Sequence, residues 1–89
     1  MNSIVESLLQ RINIFDVISQ YVKLRKAGKD FIGVCPFHKE KTPSFTVSIQ
    51  KQMFYCFGCH EGGNVINFLM KYENLNFNEA IENLAHQYG

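Results

Sequence analysis

The apolar residues of this chain follow a helical period at both ends and a strand period in the middle. Near the start, Ser3 and Glu6 have the spacing of a capping box and precede a leucine pair, which predicts a first helix. A short second helix is predicted over residues 15–20, with Asn13 as its N-cap. The N-terminal part of the chain is therefore expected to be helical.

Short alternating segments occupy the middle of the chain. In the first of them, Lys23 and Arg25 alternate with Val22 and Leu24, which predicts a half-buried strand with a basic outer face. A turn is predicted at residues 27–30. The four predicted strands are residues 22–25, 31–34, 44–48 and 53–55.

The last third of the chain returns to a helical period. Two glycines at 62–63 break the chain, and Asn64 is the expected cap of a helix over residues 65–72. Asn76, with Glu79 three residues later, is expected to start a final helix. The apolar residues of this region are predicted to face the core: Ile66, Phe68, Leu69, Leu75, Phe77, Ile81 and Leu84.

The length of the chain predicts one small domain, residues 1–89, with 46% hydrophobic residues. A chain this short buries a limited share of its surface, so a bound metal is expected to supply additional stability.

We find no secretory signal and no apolar run of membrane-spanning length. Three cysteines cannot all pair within the chain, which favours a reducing, cytoplasmic location without a membrane. The abrupt end at Gly89 suggests an N-terminal fragment of a longer protein.

Charge is unevenly distributed, although the whole chain has a net charge of only +1. Residues 23–51 contain seven basic and two acidic side chains, whereas residues 61–89 contain one lysine and four glutamates. The central segment is therefore the part of the chain that is expected to meet an anionic partner.

The strongest chemical signal is a pair of short motifs, Cys35-x2-His38 and Cys56-x2-Cys59, separated by 17 residues. Together they use every cysteine in the chain and add one imidazole. Four such ligands complete the tetrahedral shell of one structural zinc ion and leave no open coordination position. The predicted fold class is therefore α+β, a zinc ribbon-like antiparallel sheet flanked by N- and C-terminal helices.

Other interpretations of these residues are weaker. The Cys56-x2-Cys59 pair lacks the βαβ context of a thioredoxin-like redox site, and the following His60 completes a haem-attachment pattern that needs an exported chain. The run from His38 to Glu40 also fits the first motif of zinc nucleobase deaminases. In that case Cys35 would occupy the position that the catalytic water needs.

Lysines and aromatic residues interleave around the two motifs. This combination suits single-stranded nucleic acid, because lysines bind phosphates and rings stack on bases. The same positive charge suits an acidic protein surface, so a protein-docking zinc ribbon that recruits a polymerase or helicase is the alternative. The basic residues concerned are Lys23, Arg25, Lys26, Lys29, Lys41 and Lys51.

Three blocks of sequence carry a more specific signature: CPFHKEKTPSF at 35–45, CFGC at 56–59 and GGN at 62–64. In these blocks the chain resembles the zinc-binding domain of bacterial DNA primases. The resemblance implies that this domain contacts the single-stranded DNA template and helps to choose where a primer starts. It also implies that primer synthesis lies in a separate polymerase domain and that a third domain contacts the replicative helicase, neither of which lies within these 89 residues.

The resemblance also assigns roles to individual residues. It implies that Arg25, Lys29, Lys41 and Lys51 contact DNA, with Pro43 shaping the loop. Three residues at two places depart from the family pattern. His60 stands where the family commonly has glycine or a small residue. Phe54-Tyr55 stands where Tyr-His is common. We therefore expect local contacts to template bases to differ at these positions.

Overall fold

The computed structural model describes residues 3–39 and 42–88. The helices are α1 (Ser3–Arg11), α2 (Ile14–Ile18), α3 (Val65–Tyr72) and α4 (Phe77–Tyr88). The strands are β1 (Arg25–Ala27), β2 (Asp30–Gly33), β3 (Phe45–Ser48), β4 (Met53–Cys56) and β5 (Gly62–Gly63). None of the helices in the described ranges has the length and apolar character needed to cross a membrane.

The strands form one antiparallel sheet in the order β1-β2-β3-β4-β5, with two helices before it and two after it in the chain. The predicted α+β class is therefore confirmed. Residues paired across strands share a face of the sheet. One face, here called the inner face, carries the row Lys26, Phe31, Val47, Phe54 and Gly63. The other, the outer face, carries the row Arg25, Ile32, Thr46, Tyr55 and Gly62.

The core lies between the inner face and the helices. Phe68 of α3 is fully buried and packs on Phe45 and Phe54 of the sheet, with ring centroids 6.2 and 5.7 Å away. Most of the apolar residues predicted for this core are buried or half-buried. Phe77 is the exception, because it is the first residue of α4 and its side chain is 47% exposed.

Side-chain caps precede α2 and α4 at the asparagines that the sequence predicts, whereas Ser3 lies within α1 rather than before it. Asn13 Oδ1 accepts a hydrogen bond from Phe15 N at 2.9 Å. Before α4, Glu79 N donates to Asn76 Oδ1 and Asn76 N donates to Glu79 Oε1, which completes a capping box. Helix α3 has the predicted bounds. Helix α2 starts at Ile14, one residue before its predicted start, and ends at Ile18, two residues before its predicted end.

Two predictions about strands are wrong. The first strand begins at Arg25 rather than residue 22, because Val22 N donates to Ile18 O at 2.9 Å and continues the turn that ends α2. The glycines at 62–63 form β5 rather than a simple break, paired with Phe54 and Tyr55 of β4. Period alone cannot detect a two-residue strand of glycines, since neither residue has a side chain.

Gly33 is the point at which the chain before β1 crosses the end of β2. A Cβ added there would lie 2.5 Å from the backbone oxygen of Lys23 and 3.1 Å from the Leu24 side chain. Gly33→Ala is expected to lower the free energy of unfolding by about 1–3 kcal/mol, the usual cost of overpacking. Urea denaturation of the zinc-loaded protein measures the change. The neighbouring exposed Val34 provides the control, since Val34→Ala is expected to change stability by less than about 0.5 kcal/mol.

Candidate metal centre and adjoining sheet face

Two turns at the ends of strands bring four ligand atoms together. Cys35 lies two residues after β2, and His38 follows in the turn that begins at residue 36. Cys56 is the last residue of β4, and Cys59 lies in the turn after it. Strand pairing aligns the two turns, because β3 lies between β2 and β4 and pairs with both.

The four ligand atoms lie within 4.8 Å of one another, so they can hold one metal ion. Cys35 Sγ is 3.9 Å from Cys59 Sγ, and His38 Nε2 is 3.3 Å from Cys56 Sγ. Zn–S bonds of about 2.3 Å at tetrahedral angles place two sulfurs about 3.8 Å apart. The distances and the set of three thiols and one imidazole therefore fit zinc.

Backbone amides point at two of the sulfurs. Phe37 N donates to Cys35 Sγ at 3.4 Å, and Gly58 N and Cys59 N donate to Cys56 Sγ at 3.3 and 3.5 Å. The tight Cys-x2 turns produce this geometry, which stabilises thiolates that ligate a metal. Each turn therefore orients its sulfur and also lowers the cost of its negative charge.

The two buried thiols have different proton affinities without metal. Burial raises the pKa of Cys35 to about 12 despite the amide of Phe37. Burial also acts to raise the pKa of Cys56, but hydrogen bonds from Ser44, the Cys59 amide, His38 and the Gly58 amide outweigh it and lower that pKa to about 6. Because a coordinated thiol is deprotonated, zinc would overcome the difference and make both sulfurs thiolates.

The competing interpretations of the motifs fare differently in the structure. His60 is not part of the cluster, and its Nδ1 lies 2.8 Å from the Tyr55 hydroxyl oxygen. Cys35 is part of it, so protein atoms fill all four positions, whereas a catalytic zinc site keeps one open. Glu40, the acid of the deaminase hypothesis, lies outside the described residues. The arrangement is that of a structural site.

Three of the predicted DNA contacts lie on the outer face or at its rim. Arg25 is in the outer row of the sheet, and Lys29 and Lys51 line a cleft of about 650 Å³ on that face. Pro43 is exposed and lines a second groove, of about 370 Å³, together with Arg25. Lys41 lies outside the described residues. The structure thus brings Lys29 and Lys51 together in one cleft and places Arg25 in the outer row of the sheet, beside the second groove.

Two of the aromatic residues that interleave with the lysines in the sequence, Tyr55 and Phe57, line the same cleft, although the sequence alone did not say which of the rings would be exposed. Strand β4 alternates, with Phe54 and Cys56 buried and Met53 and Tyr55 exposed. Tyr55 lines the cleft with Phe57 and His60. The strand period in residues 53–56 predicts that alternate side chains share a face. It does not tell which face is exposed, because all four side chains are apolar or aromatic.

Comparison with known proteins agrees with this geometry. The family model of the CHC2 zinc finger matches residues 1–89. The chain is 53% identical over 87 residues to the DNA primase of Pseudomonas putida, covering 98% of this chain and 13% of that protein. It is 58% identical over 81 residues to the DNA primase of Haemophilus influenzae, covering 91% of this chain and 14% of that protein.

A solved structure shows the same fold. The crystal structure of the zinc-binding and RNA polymerase domains of Aquifex aeolicus primase superimposes with a TM-score of 0.95 at 47% sequence identity. The match covers 100% of this chain and 22% of that chain. The residues described here thus correspond to a small part of these longer proteins.

Proposed function

Because this chain belongs to the CHC2 zinc finger family, the zinc-binding domain of DNA primases, we propose that it recognises the single-stranded DNA template on which a primer is made. The observation that supports this proposal most is the composition of the outer face. Arg25, Lys29 and Lys51 lie there together with exposed aromatic side chains. Phosphates and bases are the two features of a single strand that such a surface binds.

The role of zinc in this proposal is structural. A bound zinc ion would be held by Cys35 and His38 after β2 and by Cys56 and Cys59 at the end of β4, and it would offset two of the three thiolate charges. His38 and Cys59 then fix the two turns, and the Cys56 end of β4 holds the register that places Tyr55 beside Thr46 on the outer face. In this proposal the template contacts the side chains of the sheet and does not contact the metal.

The remaining roles of a primase belong to other parts of such proteins. The chain spans about 13–14% of the length of the curated relatives described above. We propose that this single domain of a longer, cytoplasmic primase acts with a polymerase domain that synthesises the RNA primer at replication forks. Contact with the replicative helicase would be made by other segments of the full-length protein.

Neutralising basic residues of the outer face tests the proposal. Arg25→Gln, Lys29→Gln and Lys51→Gln are each expected to weaken binding of a 12-nucleotide single strand about fivefold at 0.1 M salt. Each should also reduce the slope of log K against log salt by about 0.7, the value for one lost phosphate contact. Fluorescence anisotropy of labelled DNA across a salt series measures both quantities with the zinc-loaded protein.

Arg11 provides the matched control, because Arg11→Gln removes the same charge from helix α1, away from the cleft. It is expected to leave the salt slope unchanged. Binding that responds equally to all four substitutions would indicate attraction by net charge alone. Binding that responds to none of them would favour the alternative, a zinc ribbon that docks on an acidic protein.

A further inference from the structure

Large apolar side chains are exposed together in the 650 Å³ cleft of the outer face. Phe57 is 67% exposed, Met53 47% and Tyr55 38%. Burying them would stabilise so small a domain, yet the inner face takes Phe45 and Phe54 and leaves these side chains in solvent. A cleft of this volume falls in the range of ligand sites, where apolar walls with a few polar groups are the rule.

The rings in this cleft are held in fixed relation to one another. Tyr55 and Phe57 meet edge to face, with centroids 4.9 Å apart and planes at 74°. The Tyr55 hydroxyl lies 2.8 Å from Nδ1 of His60 on its other side. Tyr55 therefore contacts both neighbours, and Phe57, which is more exposed than Tyr55, keeps a face available for stacking.

His60 occupies a backbone conformation that glycine adopts more easily. Its φ is +66°, and its amide donates to Cys56 O at 2.8 Å to close the turn after β4. An imidazole is therefore present where the turn itself needs no side chain. Nδ1 is engaged by Tyr55, and among the described residues none forms a hydrogen bond with Nε2, which leaves that nitrogen available to a ligand.

We propose that Tyr55, Phe57 and His60 form a nucleobase subsite, in which one unpaired base stacks on Phe57 and meets the ring edge of His60. Lys29 and Lys51 line the same cleft and would hold the adjoining phosphates. This proposal rests on the proposed binding of single-stranded DNA, and it identifies the residues that contact the base. His60 sets the base preference because a ring nitrogen can hydrogen-bond to a base edge, whereas a phenyl ring stacks on every base alike.

A tryptophan at position 57 tests stacking directly, because the chain contains no other tryptophan. In zinc-loaded Phe57→Trp, a saturating dT12 strand should quench the indole emission, and the same strand made of abasic units should not. Phe77→Trp is the matched control, since Phe77 is exposed at the start of α4 and does not line the cleft. Its emission should stay constant with both strands.

Two further variants separate the subsite from the charge of the surface. Phe57→Leu should weaken dT12 binding at least about fivefold, the effect of one lost stacked base, without changing the salt slope or abasic binding. His60→Gly relaxes the backbone, so it should fold at least as stably while the affinities for dA12, dC12 and dT12 converge to within twofold. Equal quenching of the indole by base-bearing and abasic strands, or unchanged base preference in His60→Gly, would overturn the subsite alone. A wild-type protein that binds neither strand would overturn both the subsite and the proposed function.

Discussion

Replacing Cys56 with serine is expected to leave the domain largely unfolded at 25 °C. Cys56 is fully buried and its sulfur accepts amide hydrogen bonds from Gly58 and Cys59. Structural zinc contributes an apparent 10–16 kcal/mol, roughly, to the folding of small zinc domains, which matches or exceeds the ~5–15 kcal/mol net stability of ordinary domains. A serine hydroxyl does not replace a thiolate as a zinc ligand, so most of that contribution is lost.

Metal analysis and far-ultraviolet circular dichroism measure the result. The wild-type protein should contain about one zinc per chain, and Cys56→Ser should contain far less and show no cooperative thermal transition. Excess chelator should convert the wild-type spectrum to that of the variant. His86→Ser is the control, because His86 is exposed on α4 outside the metal cluster. A Cys56→Ser protein that keeps one zinc and melts cooperatively would contradict the structural role of the site.

The two ligand pairs of the metal cluster could be predicted from sequence because the determinants of each pair are local. Each Cys-x2 turn brings its own two ligands together whatever the rest of the fold does. The helix caps were predictable for the same reason, since Asn76 and Glu79 satisfy each other's amides within one turn. Features that depend on three or four consecutive residues need no knowledge of tertiary structure.

The start of β1 and the existence of β5 depend on backbone hydrogen bonds that the period of apolar side chains does not encode. Val22 alternates with polar neighbours as a strand residue would, but the turn after α2 holds its amide and buries its side chain. The glycines of β5 pair with β4 only because the turn containing Cys59 reverses the chain. Backbone hydrogen bonds override the local period, which records only the alternation of apolar and polar side chains.

The outer face illustrates the same limit for function. The basic character of the central segment was predictable, but charge alone does not say which lysines share a surface. The cluster of Tyr55, Phe57 and His60 depends on the left-handed conformation of His60, which turns the chain back toward β4. That conformation is unusual for a residue with a side chain, so the sequence offers no direct signal for it.

Phe68→Ala is expected to have the largest effect among changes away from the metal cluster. Phe68 is fully buried and stacks on Tyr72, with ring centroids 5.4 Å apart, and its ring centroid lies 5.6 Å from that of Phe37. Removing a buried phenyl ring costs about 3–5 kcal/mol. Urea denaturation of the zinc-saturated protein should show a loss of that size. Phe77→Ala, the same change at an exposed position, should cost less than about 1 kcal/mol.

The same substitution should weaken zinc binding although Phe68 is not one of the four ligands. Phe37 stands between the ligands Cys35 and His38, so its packing on Phe68 couples the first Cys-x2-His turn to the core. When metal binding and folding are coupled, free energy lost from the core appears in the apparent metal affinity. Competition with a chromophoric chelator should show an affinity reduced by about 100-fold or more in Phe68→Ala and unchanged in Phe77→Ala. An unchanged affinity in Phe68→Ala, with stability reduced, would mean that the turns hold zinc independently of the core.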